Sequence, residues 1–209
     1  MSRKVLGSAV HLRRLAEAQL RKGLSAESHG LLDAVAAREE IELPPILTWR
    51  RLGDYLEMPE ALSPALYVTT PGTDGDPVKV DRETDRADWL VRCFVVVIGT
   101  DYEQTSDRRD AYLAAARLAL RADPTLGGYA EGVEWVGDTD NEADVGDEDA
   151  RWLGVGSVTL RYLRVLTASR IEALRPENDP TAPTADRQEV RLLGFPAPAD
   201  PVFPAEEES

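Results

Sequence analysis

The chain has 209 residues, a hydrophobic share of 43%, a charged share of 30% and a formal net charge of −14. That is enough to bury one real core and too little for two full domains, and no apolar run approaches the length that crosses a bilayer. The acidity excludes a protein whose overall field attracts nucleic acid, since phosphate binding rests on Lys and Arg releasing counterions.

The N-terminal stretch MSRKVLGSAVHLRRL is basic but has no continuous apolar core before a small-residue cleavage site, so it does not read as a secretory signal. The pattern then predicts a helix over Ala9–Lys22, with Leu12, Leu15, Ala16, Gln19 and Leu20 near one side, Ser8 as its N-cap and Gly23 placed to end it. A second helix is expected over about Glu27–Glu39. Pro44-Pro45 stops it, and the Pro- and Gly-rich segment that follows suggests a strand only at Ala65–Thr70, with a polar loop over Asp74–Asp85.

From Asp88 the composition turns to β-branched and aromatic residues. Leu90–Ile98 is apolar on both faces, which predicts a central strand covered on both sides. Asp101 to Gln104 has the spacing of a capping box, opening a helix over Asp101–Ala122. On it Glu103, Asp107, Asp110, Arg117 and Arg121 form one stripe opposite Tyr112, Ala115, Ala116, Ala119 and Leu120. Pro124 and Gly127-Gly128 then stop the helix and reverse the chain.

A short strand is expected at Gly132–Val136, an acidic loop over Gly137–Ala150, and a long strand over Arg151–Ala168 with a bulge where the alternation slips at Leu163-Arg164. Beyond Ser169 the chain is rich in Pro and acid, and only Val190–Phe195 is apolar. That reads as a largely disordered tail whose island docks elsewhere.

The usual catalytic signatures are missing. Gly154-Val155-Gly156 precedes a strand and lacks a third glycine in register, so it is no dinucleotide fingerprint. His11 and His29, the two histidines, read as surface or packing residues. The single cysteine, Cys93, stands among valines and reads as a buried thiol in a reducing interior. Only the run Asp138–Ala150 could hold a hard cation. Its spacing departs from a calcium loop at the sixth position, Ala143, and at the twelfth, Asp149, so a solvated acidic loop is the better reading. No cofactor or metal is expected. Trp89, Trp135 and Trp152 stand at strand ends, where core packing or an interface rim accounts for them.

One ordered set of segments goes further. It comprises Arg92–Gly99, Asp101-Tyr102-Glu103, the alanine-rich helix, Asp123–Gly128, Val133–Gly137 and a closing strand with Gly156-Ser157-Val158-Thr159-Leu160. This set resembles the tail terminator proteins of long-tailed bacteriophages, most closely those of phages that infect actinobacteria. The resemblance covers roughly residues 43–170. It implies an α+β subunit, with a mixed sheet packed by the central helix, between an N-terminal helical segment (1–42) and a Pro- and acid-rich tail (171–209).

The resemblance also implies a structural virion protein with no enzymatic activity, assembled in the host cytoplasm. Its copies close into a ring, a hexamer, that caps the tail tube, stops its polymerisation and faces the head connector or head-closure protein. Genomic DNA passes through the lumen without specific binding. On that footing Asp138, Asp140, Glu142, Asp144, Asp147, Glu148 and Asp149 are candidates to border the lumen, where carboxylates repel phosphates over a Debye length of ~8 Å. Placement on the outer surface is the alternative. Arg13, Arg14, Arg117, Arg121, Trp135 and Trp152 are the candidate subunit contacts. Another neck component and a divalent-metal hydrolase using the acidic run are the rival functions.

Overall fold

A computed structural model of the chain describes residues 4–25, 30–49, 62–144 and 151–169, the side chains of 140–144 excepted. The elements run α1 (Ala9–Leu24), α2 (Leu31–Glu39), β1 (Ala65–Lys79), β2 (Thr84–Gly99), α3 (Tyr102–Arg121), β3 (Gly132–Asp144) and β4 (Trp152–Ala168). The fold class is α+β, as the sequence predicts. The four strands form one sheet in the order β1-β2-β4-β3, antiparallel at every ladder. Among the described residues, parallel pairing is confined to single bridges at Leu6–Thr167 and Thr48–Ala65.

Alternation along β2 explains its two apolar faces. Val91, Cys93, Val95 and Val97 turn toward the helices and join the main core with Leu12, Ala16, Leu20, Tyr112, Ala115, Ala116 and Leu120. Val96 and Ile98 turn the other way, into a smaller cluster with Ala65, Tyr67 and Leu153, where the Tyr67 and Phe94 rings stack 4.7 Å apart. Each fully buried leucine of the main core stabilises the fold by about 1.5–3 kcal/mol relative to exposure. The α1 helix therefore shares the core of the sheet domain.

Local signals set the helix starts. The Ser8 side chain accepts from the His11 N–H, and the Asp101 carboxylate accepts from the Gln104 N–H at 2.8 Å. At the end of α3 the last carbonyls find partners on other elements. Gln19 Nε2 donates to Ala119 O, Leu120 O and Asp123 O, and the Tyr162 hydroxyl donates to Leu120 O at 3.1 Å. Past it, Leu126, Gly127 and Gly128 all adopt positive φ, which reverses the chain into β3.

Five expectations need correction, and one α2 residue range falls outside the description. Gly23 does not end α1, which runs on through Leu24, because Gly23 packs closely against Ala119 of α3. The strand expected at Ala65–Thr70 extends to Lys79, and the loop expected over Asp74–Asp85 is mostly a hairpin. Pro71 and Pro77 are tolerated because β1 is an edge strand and both fall in its register shifts, where no ladder N–H is needed. The turn is tied by Asp81, whose Oδ1 accepts from the Glu83 and Thr84 N–H groups at 2.8 Å. The strand expected at Gly132–Val136 continues to Asp144, so residues 137–144 are strand, not loop. The α2 helix is described from Leu31 on, and residues 26–29 lie outside the description. The tail 171–209 also lies outside it. The bulge foreseen at Leu163-Arg164 is present. Both residues oppose Asp88, Arg164 takes φ 51°, and its N–H donates to Asp88 Oδ1 at 2.7 Å.

Candidate assembly surface

β3 is the outer strand beyond β4 and pairs with that neighbour alone among the described residues. Near its start a register shift between Trp135 and Gly137 throws out Val136. Trp135 and Val136 are each 50% exposed, so two adjacent apolar side chains face water on an edge strand. The indole is nevertheless fixed. Arg117, reaching across from α3, lies with its guanidinium 4.6 Å from the ring centroid, and the Trp135 Nε1 donates to Asp138 Oδ1 at 2.8 Å. The second oxygen of Asp138 accepts from Arg117 Nη1 at 2.9 Å.

The structure thus joins three of the sequence-selected residues, Arg117, Trp135 and Asp138, into one cluster on an edge strand. The consequence for Asp138 is chemical: both its oxygens are committed, so it is not a free carboxylate. Register continues Asp140 opposite Gly156, Glu142 opposite Gly154 and Asp144 opposite Trp152. Asp147, Glu148 and Asp149 lie outside the described residues. The expectation of an acidic loop is replaced, up to Asp144, by an acid-bearing strand edge. Charge on such an edge opposes unwanted strand pairing, and the strand forms because β4 is long enough to partner it.

The other candidates are dispersed. Trp152, at the far end of β4, is half-buried and sits T-shaped against the Tyr102 ring at 5.1 Å. Arg121 is exposed one turn beyond Arg117, and Arg13 and Arg14 are exposed on α1. Two features were missed in the sequence. Arg109 is 2% exposed, lying over β4 with bonds to Asp110 Oδ1 at 2.7 Å and Ser106 Oγ at 3.3 Å. Gly154 and Gly156 make that position possible, since a Cβ on Gly156 would meet Leu113 Cδ1 at 2.6 Å and Arg109 Cδ at 3.2 Å. The signal was there: alternate glycines in a strand leave a flat strip on one face for a helix to approach.

Titration is perturbed at few places. Burial raises the Cys93 thiol far above its ordinary value, and it raises the Tyr112 and Tyr162 hydroxyls too. Partial burial pushes the Asp123 carboxyl upward, but bonds from the Thr125 hydroxyl and the Gly127 and Thr125 N–H groups outweigh it and hold the group below the usual carboxylate value. Among the described residues no group of three or more His, Cys, Asp or Glu side chains converges, and no helix is long and apolar enough to cross a membrane.

No family model matches the sequence, and no curated protein matches it. One solved structure, described as "Virion of native gene transfer agent (GTA) particle", aligns with 72% of this chain and 93% of the matched chain, at 12% identity and a TM-score of 0.34. A likeness of that size assigns neither a shared fold nor a shared function.

Proposed function

We propose that the chain is a structural phage virion protein whose copies close into a ring, a hexamer, on the upper end of the tail tube. There it stops tube growth and offers a surface to the head connector. It works by shape and charge, with no bond made or broken. The ordered resemblance over residues 43–170 supports the family reading, and one structural observation supports the assembly mode: the subunit has unlike exposed surfaces. One is the acid-bearing β3 edge with half-exposed Trp135 and Val136; the other is the helical side with Arg13, Arg14 and Arg121. A contact between two different patches, repeated with a rotation that closes, makes a ring. Opposite charge on the two patches fixes the register of that contact.

Electron microscopy of the purified chain, alone and with tail tubes, tests this. Rings and capped tube ends are expected. Copies that stay single at high concentration and leave tube ends growing would overturn it, and rings that co-purify with the portal in place of the tube would make this another neck component. Replacing Trp135 with Ala and Val136 with Asp is expected to lower the ring fraction about tenfold, as loss of an interface anchor does, with the circular dichroism spectrum unchanged.

A further inference from the structure

Between α1 and α3 the surface dips into an open apolar groove of about 580 Å³, lined by Leu15, Ala18, Leu31, Leu118 and Leu126. Leu118 is 48% exposed, a large apolar residue left in water on the last turn of α3. Lys22 lines the groove, and Arg14 and Arg121, the sequence neighbours of the lining residues Leu15 and Ala122, are exposed; among the described residues none of the three pairs with a carboxylate. Asp123 is the acid that lines the groove, and its oxygens are taken by Thr125 and the Gly127 N–H. An apolar floor with uncommitted cations fits an apolar segment flanked by acids.

The chain carries such a segment. Val190-Arg191-Leu192-Leu193-Gly194-Phe195 is flanked by Asp186 and Glu189 on one side and Asp200 and Glu206-Glu207-Glu208 on the other. Residues 170–209 hold nine acids against four bases. The point of departure is also close. The Ala168 N–H donates to Leu6 O, and two residues earlier in the chain the Lys4 N–H donates to Gly128 O, the neighbour of Gly127 in the groove wall. The connecting residues 170–189 could span up to about 66 Å when extended. A tether of this kind holds its end at an effective concentration of roughly millimolar, so even weak docking is populated.

We propose that residues 190–195 lie in the α1–α3 groove of their own chain, with Leu192, Leu193 and Phe195 against Leu118 and its neighbours and the flanking acids toward Arg14, Lys22 and Arg121.

The buried, strongly proton-retaining Cys93 makes the test clean, because the native chain offers no reactive thiol among its described residues. Full-length Leu118→Cys is labelled with a maleimide at low micromolar concentration, beside the same protein also carrying Leu192→Ser, Leu193→Ser and Phe195→Ser. Labelling is expected to be about tenfold slower with the native tail, a factor that docking worth about 1.4 kcal/mol produces, and independent of protein concentration. Equal rates would overturn the proposal. So would slow labelling that survives the triple change and vanishes on dilution, which would mean a second copy covers the groove. Ala18→Cys repeats the measurement with Leu118 intact. Ring formation is not read in this experiment, so its outcome and that of the assembly reading are separate results.

Discussion

A Cβ built on Gly23 would stand 2.9 Å from the Cβ of Ala119, closer than packed carbons come, and neither atom can rotate away. The residue that reads as a helix stop is therefore the point where α1 and α3 touch backbone to backbone. Gly23→Ala sets two effects against each other. Helix propensity favours Ala by about 0.8–1 kcal/mol, whereas overpacking a rigid contact costs about 1–3 kcal/mol. Destabilisation of about 1 kcal/mol is expected, read as a lower urea midpoint with an unchanged slope; a stabilised variant would show that the helices separate freely. The converse case is Gly156, whose close neighbours are the ends of Leu113 and Arg109 side chains, so Gly156→Ala should be absorbed more cheaply.

Elements whose spacing carries their own start and stop signals were legible. The Ser8 and Asp101 caps, the alanine face of α3 and the two-sided β2 all stand where the pattern puts them. What failed was the extent of the edge strands. The far half of β1 holds two prolines and two glycines, and the far half of β3 holds acids, so neither looks like strand by composition. Both are recruited by long partners, β2 and β4, and pairing of that kind has no local signature. The reversal after α3 was legible, but not the role of Asp123 within it. That carboxylate gathers bonds from Thr125 and Gly127, and its lowered pKa means that it stabilises the fold above the ordinary Asp value, about 3.9, and stops doing so as pH falls through its folded value. Asp123→Asn is expected to cost about 1 kcal/mol at neutral pH, modest for a charged acceptor because the group is partly solvated. Chemical denaturation at a series of pH values should show the gap between the two proteins closing below pH ~4; a gap that stayed constant would assign the loss to shape instead of charge.

At the scale of the whole molecule, the acidic run and its role come apart. The sequence marks Asp138 as one of seven equal acids, but the fold spends it on Arg117 and Trp135, because only the register of β3 on β4 and the crossing of α3 reveal that partner. Asp138 is therefore a positioning residue for the exposed indole, and the acids after it are the ones left to act on DNA in the assembly we propose. The two roles separate by mutation. Asp138→Ala should lower ring formation along with Trp135→Ala, because the indole loses its anchor, while any ring that forms still passes DNA at the normal rate. Replacing Asp140, Glu142, Asp144, Asp147, Glu148 and Asp149 with Lys should leave rings intact and slow DNA ejection, since the charge facing the phosphates changes sign and acts over about 8 Å at physiological salt. Raising the ionic strength should relieve that slowing, as screening requires. Ejection that is unchanged in the lysine variant at low salt would place these acids on the outer surface, and the ring would then have to keep DNA moving by other residues.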